Sequence, residues 1–402
     1  MGRRGVSELF HFKKGFSDMS NRKLRMGMVG GGGGGFIGRV HRMAAALDNE
    51  AELTAGVFSS NAERSLQFGK DLNLDPKRVY QNWEEMLRRE AALPAEERLD
   101  FISVVVPNIG HFPISKACLE AGFNVVCDKP MTTTLADAKE LAEIVEKTKK
   151  VFVLTHNYTG YPMVKQARHM VQQGLLGKIN KVVVEYPQGW LAGLINAPDN
   201  TIAMWRMDPE IAGGSCCMGD LGTHAENLVR YITGLEIDHL CADLSSFVPA
   251  NRLEDDGNLL IRYKGGAKGI LYASQISAGE ENPLKIRVYG VERGLEWRQE
   301  DPNYLWIKDP VGTVTRYSRG NSNLCDAAKN ASRLPWGHPE GFIEGFANLY
   351  REAFRAIRAE VAGEPVPEVD VPDVQDGVLG VAFIETVLAS NKSNEKWTRM
   401  LK

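Results

Sequence analysis

The chain has 402 residues, 43% of them hydrophobic and 25% charged, with a formal net charge of −3. That balance belongs to a globular protein long enough for two domains of ordinary size. It gives no reason to expect nucleic acid or an anionic membrane as a partner. No uninterrupted apolar stretch reaches membrane-spanning length. Residues 1–21 read as a basic, irregular N-terminal arm. Arg3 and Arg4 are followed by no apolar h-region, so export is not expected. The cysteines Cys118, Cys127, Cys216, Cys217, Cys241 and Cys325 are scattered, with no CxxC pair. They predict reduced, packed thiols in a cytoplasmic protein rather than a disulfide framework.

From residue 24 to about 155, strands alternate with helices. "LRMGMVG" predicts a strand, "FIGRVHRMAAALD" a helix and "ELTAGVF" a second strand. "NAERSLQFGKDL" and "NWEEMLRRE" read helical. "DFISVVV" is a third strand, ending before Pro107. "HFPISKACLEAG" is a helix with Gly122 as its C-terminal cap. "FNVVCD", "TLADAKELAEIVEKT" and "KVFVLTH" continue as strand, helix, strand. Apolar strands alternating with helices predict a parallel, doubly wound sheet covered on both faces. This first unit is expected over residues 22–155.

The pattern changes after about residue 240. "NLLIRYKGGAKGILYASQ" reads as a hairpin around a glycine turn. "LKIRVYG", "GLEWRQ", "YLWIKD" and "TVTRYS" follow as short strands. The second unit, over 156–402, is therefore expected to be α+β with an open, mainly antiparallel sheet. Two helical stretches close the chain, "GFIEGFANLYREAFRAIRAEVAG" and "DVQDGVLGVAFIETVLASNKS".

The six consecutive glycines, Gly30 to Gly35, sit between the first strand and the first helix. That is the setting of a dinucleotide-binding turn. Gly30, Gly32 and Gly35 fit G-x-G-x-x-G. The first allows the tight turn, the second lets a pyrophosphate approach the backbone, and the third lets helix and strand pack closely. Phe36 and Ile37 open the helix, whose free N–H groups favour a phosphate. At the end of the second strand an acid usually holds the ribose of NAD. Here "VFSSNAERS" offers Ser59, Ser60 and, further on, Arg64, which suits a 2′-phosphate. The expected cofactor is NAD or NADP, with a lean to NADP.

"VPNIGH", "CDKPMTTT" and "GGSCCMGDLGTHAENLVRYITG" together resemble the glucose–fructose oxidoreductase/inositol 2-dehydrogenase (Gfo/Idh/MocA) family, from about residue 24 to the C-terminus. "Cys-Asp-Lys-Pro" departs from the family's Glu-Lys-Pro motif by Asp128 for Glu, which keeps the charge. Lys129 follows a parallel strand at its C-terminal end, where open α/β sheets put their ligands. A cation there stabilises negative charge on a substrate oxygen. Asp220 and His224 are spaced i, i+4, so a helix presents both on one face. Leu221, Ala225, Leu228 and Ile232 make the apolar stripe that anchors it. A neutral imidazole suits removal of an alcohol proton, and the carboxylate can orient it or bind a hydroxyl.

The resemblance implies His224 as proton acceptor with Lys129 as its close partner. It also places Pro107, Asn108, His111 and Asp128 with the cofactor. Asn157, Tyr158, Trp205, Arg206 and His338 are candidate substrate contacts, and "PWGHPEG" is a loop that could close over the site. No metal site is expected, because HxH, HxxxH and CxxC spacings are absent. The expectation is an NAD(P)-dependent dehydrogenase for a secondary alcohol of a sugar, sugar derivative or cyclitol. It is expected to work as a homodimer or homotetramer through the open face of the second sheet. A glycoside-cleaving enzyme that uses held NAD, and a non-catalytic nucleotide sensor, are the alternatives.

Overall fold

The computed structural model describes residues 22–33, 35–195, 205–249 and 251–402. The arm expected over residues 1–21 lies outside them. The first half forms β1 (Leu24–Gly30), α1 (Phe36–Ala46), β2 (Ala51–Val57), α2 (Ala62–Asp71), α3 (Trp83–Ala91), β3 (Phe101–Val105), α4 (His111–Glu120), β4 (Asn124–Cys127), α5 (Leu135–Thr148) and β5 (Phe152–Leu154). The strands pair in the order β2-β1-β3-β4-β5, all parallel. β3 and β4 are buried along their whole length, as expected for a sheet covered on both faces. Side chains close the helix starts. Asn82 Oδ1 accepts from the Glu85 N–H (2.8 Å), and Thr134 Oγ1 from the Asp137 N–H (3.1 Å).

The second half continues with α6 (Pro162–Gln172), β6 (Ile179–Pro187), α7 (Thr223–Thr233), β7 (Ile237–Ser245), β8 (Asp256–Tyr263), β9 (Lys268–Ser274), β10 (Lys285–Gly290), β11 (Gly294–Arg298), β12 (Tyr304–Lys308) and β13 (Val314–Ser318). α8 (Phe342–Val361), α9 (Val374–Lys392) and β14 (Thr398–Arg399) close the chain. The strand order of the large sheet is β13-β12-β11-β10-β6-β9-β8-β7-β14. All its pairings are antiparallel except β6–β9. The sequence reading recovers β8 to β13 but passes over β7 and over β6, which lies well before residue 240. β6 carries a legible alternation, with Val182, Val184 and Tyr186 buried beneath α6 and α7.

Packing departs from chain order at the C-terminus. α8 follows the large sheet in sequence, yet Phe346, Tyr350, Phe354 and Ile357 share one core with Leu24, Met26, Met28 and Phe101 of the parallel sheet. Asp370, in the connection to α9, accepts hydrogen bonds from Lys165 (2.6 Å), Arg168 (2.7 Å) and Tyr231 (2.7 Å). The backbone N–H of Leu154 donates to Pro372 (2.9 Å), which covers the outer edge of β5. α9 then packs against α5 and β7 at once. The two sheets are thus bolted together around the cleft between them. Among the described residues, no helix is long and apolar enough to cross a membrane. All six cysteines are unpaired thiols.

Candidate active site

A single cleft of about 1410 Å³ runs from the glycine turn to the start of α7. Sites for one small ligand usually measure about 300–1,000 Å³, so this one has room for a dinucleotide beside a small ring. Its nucleotide end is shaped by backbone. Gly30 has φ +84°, and a Cβ there would stand 2.1 Å from the Val105 carbonyl. A Cβ on Gly32 would stand 2.2 Å from the Phe58 carbonyl. Gly35 lines the cleft, but the tight approach of helix to turn falls at Gly38, whose Cβ would meet the Gly31 backbone at 2.3 Å. That role therefore belongs to Gly38, further along the chain than G-x-G-x-x-G places it. α1 begins without an acidic residue or side-chain cap, so its first N–H groups are free for a phosphate. Phe36, Ile37, Ser59, Ser60 and Pro107 line the same cleft. Arg64 does not. It is exposed, and its backbone N–H donates to Asn61 Oδ1 at 2.9 Å.

The turn after β4 holds Lys129 in place. Asp128 Oδ1 accepts from the Lys129 N–H (2.9 Å) and from Thr155 Oγ1 (3.0 Å). His111 is buried, with Nδ1 at 2.6 Å from the Pro130 carbonyl and Nε2 at 2.9 Å from the Val106 carbonyl. It ties the end of β3 to this turn while lining the cleft. Asn108 also lines it, but its Nδ2 donates to the Ala212 carbonyl (2.8 Å), which draws the second half of the chain inward.

Across the cleft, Met218–Gly222 forms a π-turn that leads into α7. The expected plain helix is thus interrupted where Asp220 sits, as π-turns often are at functional positions. A Cβ on Gly222 would lie 2.9 Å from Met218 Sδ, so glycine lets that side chain pack close against the turn. The buried Glu254 carboxylate accepts from Ser215 Oγ and from the Met218 N–H (2.9 Å). Burial pushes that carboxyl up.

Lys129 Nζ donates to Asp220 Oδ1 (2.5 Å) and to the Asp220 carbonyl (2.6 Å). Gln275 Nε2 donates to Asp220 Oδ2 (3.0 Å). Burial works to raise the Asp220 carboxyl, but Lys129, Arg206 and these hydrogen bonds bring it below its ordinary value. His224, one turn on, lines the cleft with its Nδ1 3.4 Å from Nδ1 of His156. Burial, the charge of Lys129 and His156 depress its basicity far below the ordinary histidine value. At neutral pH it is therefore an uncharged acceptor.

Asn157, Tyr158, Trp205 and Arg206 all line the cleft. Asn157 is buried, and its Nδ2 has no protein partner among the described residues. Such an unpaired buried donor beside a cleft is unusual in a folded protein. The guanidinium of Arg206 lies 4.3 Å from the Trp205 ring centre. Tyr158 shares a hydrogen bond with Tyr186, whose hydroxyl donates to Asn282 Oδ1 (2.7 Å). Gln188 Nε2 donates to the same oxygen (2.7 Å). Tyr186, Gln188, Trp190, Asn282 and Gln299 line the cleft without having been expected there. Most of them sit on β6 or just past a strand end, and alternation along β6 was the one signal for them.

His338 lies elsewhere, exposed on a loop outside the cleft. Arg319 pins that loop by donating to Glu340 (2.8 Å) and to the carbonyls of Leu334 (2.7 Å) and His338. Phe342, Ile343 and Phe346, after the loop, do reach the cleft. Among the described residues, no group of three or more His, Cys, Asp or Glu is arranged to hold a metal ion.

The glycine cradle and the free helix start fit a dinucleotide, and known proteins bear out that fit. Residues 24–158 match the model of an oxidoreductase family with an NAD-binding Rossmann fold, and residues 164–296 match the GFO/IDH/MocA C-terminal domain. The oxidoreductase YfiI of Bacillus subtilis (strain 168) is 34% identical over 385 residues, 94% of this chain and 97% of that protein. An oxidoreductase from Sinorhizobium meliloti is 44% identical, with a TM-score of 0.84, over 94% of this chain and 99% of its own. An inositol dehydrogenase homolog from Azotobacter vinelandii, solved with NADH and myo-inositol, is 34% identical. Its TM-score is 0.87 over 94% of this chain and 98% of its own. The chain belongs to the Gfo/Idh/MocA family of oxidoreductases and is an NAD(P)-dependent dehydrogenase.

Proposed function

We propose that the chain oxidises a ring secondary alcohol of an uncharged cyclitol or sugar, with NAD as cofactor. The observation that carries this reading is the Lys129–Asp220 pair beside a neutral His224 in the cleft that the glycine turn opens. An ammonium has three N–H donors. Two are taken by Asp220, which leaves one for the substrate oxygen. Lys129 stabilises the alkoxide character that builds there. Asp220 fixes the ammonium, and His224 removes the hydroxyl proton. The bound nicotinamide supplies the acceptor for the carbinol hydride.

Tyr186, Gln188 and Asn282 offer hydroxyl-matching donors and acceptors, and Trp190 and Trp205 offer flat apolar faces. That lining favours a polyhydroxylated ring. The myo-inositol bound by the Azotobacter vinelandii relative points the same way. NAD is favoured over NADP because the cleft's only lysine and arginine, among the described residues, are Lys129 and Arg206. Both act on Asp220, and the cleft lining brings no further cation to Ser59 and Ser60. We also propose that copies of the chain meet through the outer face of the large sheet, a reading supported by the exposure of the paired Leu260 and Ile270.

The test is a screen of inositols, monosaccharides and anhydrosugars with NAD and NADP, read at the nicotinamide absorbance. Turnover with NAD on at least one of them is expected. Lys129→Ala should lower kcat about 10²–10³-fold with NAD binding retained. Wild-type turnover in that variant would refute the assignment.

A further inference from the structure

His224 needs a partner that sets which of its nitrogens carries the proton, and Asp220 is not that partner. Both Asp220 carboxylate oxygens are committed, one to Lys129 and one to Gln275. The group that meets the ring is His156, at the end of β5 and outside the cleft. The two Nδ1 atoms lie 3.4 Å apart, and the rings stand edge to face with centroids 5.2 Å apart. His156 is anchored through its backbone. Its N–H donates to the Leu154 carbonyl (2.9 Å), and its carbonyl accepts from Thr159 Oγ1 (3.0 Å).

Tyr158 and Tyr186 pack edge-on against His224, and the charged groups acting on the pair are Lys129 and Arg230. Burial, with those cations, takes His156 down to about 3, so both rings are neutral at neutral pH. Two neutral imidazoles that share an Nδ1–Nδ1 contact have one proton between those atoms. If His156 donated it, His224 would carry its own proton on Nε2 and could take none from an alcohol. Only the other arrangement leaves a base. His224 Nδ1–H then donates to His156 Nδ1, and His156 carries its proton on Nε2. That nitrogen faces Gly380 of α9, where an added Cβ would stand 3.9 Å away.

We propose that His156 is a positioning residue that accepts the Nδ1 proton of His224 and keeps His224 Nε2 free to take the alcohol proton. The inference rests on the proton-acceptor role given to His224 above. His156 fills the part that a carboxylate fills in other acid–base pairs, but without adding charge to a buried site. Once Nε2 is protonated, the His224 imidazolium donates a charge-assisted hydrogen bond to His156 Nδ1.

Two variants and one spectrum test it. His156→Leu removes the acceptor, and His156→Asn restores one on a side chain of similar reach. The expected result for His156→Leu is a kcat about 10–100-fold lower, with KM for NAD and for the polyol unchanged. His156→Asn should regain most of that loss. Nitrogen-15 histidine spectra of the wild-type protein, without substrate, should show His224 protonated at Nδ1 and bare at Nε2. Wild-type kcat in His156→Leu, no recovery in His156→Asn, or a His224 proton on Nε2 would each overturn the proposal. The spectrum needs no turnover, so failure of every polyol as a substrate would defeat the functional reading while the tautomer is still decided.

Discussion

The two ends of the cleft are built from different material. At the nucleotide end the ligand-facing groups are backbone, exposed by glycines and a bare helix start. At the end proposed to hold the substrate, the lining includes ionisable side chains, Lys129, Asp220, His224 and Arg206, brought in from separate segments. The first kind of site depends on the scaffold staying folded. The second depends on individual hydrogen bonds, so it should fail one residue at a time while the first end keeps working.

That contrast can be tested in order of effect. Phe354→Ala empties a position in the core shared by α8 and the parallel sheet. It should cost about 3–5 kcal/mol, seen as a lower denaturant midpoint, and NAD binding should weaken with it. Acid should act at both ends. His41, beneath the nucleotide end, is taken by burial down to about 4, and His156 to about 3. Their folded values lie below the unfolded value near 6.5, so the unfolded chain binds the extra protons. Stability is full above that pH and falls as pH drops through it. Each group costs about 1.4 kcal/mol per pH unit until its own folded value is reached. Chemical denaturation at pH 7 and pH 5 checks this, and equal midpoints would contradict it.

Gln275→Leu takes one donor from Asp220. We expect kcat to fall about 10–100-fold with the NAD dissociation constant unchanged. Equal losses in both would break the contrast between the ends. The smallest effect belongs to Arg64→Ala, which should leave the NAD to NADP preference where it was, measured as the ratio of kcat/KM values.

Much of the first half was legible because its signals are local. Strand–glycine–helix order, the helix caps and the run of buried strands all follow from neighbours in sequence. Lys129, Asp220 and His224 could be named from short motifs. Arg64 and His338 show where such reading stops: a suitable residue type at a plausible place in the chain says nothing about which way the backbone turns it. Residues such as Gln188 and Asn282 carry no motif at all, and they gain a role only through the register of β6 and the loop before β10.

By itself, the sequence determined most of the elements and the nucleotide turn, and it singled out Lys129, Asp220 and His224 as candidates, since each signal lies within a few neighbouring positions. Tertiary structure alone decided that Lys129 closes on Asp220, that His156 rather than Asp220 meets His224, and that α8 belongs to the parallel sheet's core. Those outcomes depend on distances between segments far apart in the chain, where burial, packing and competition for hydrogen-bond partners set the answer.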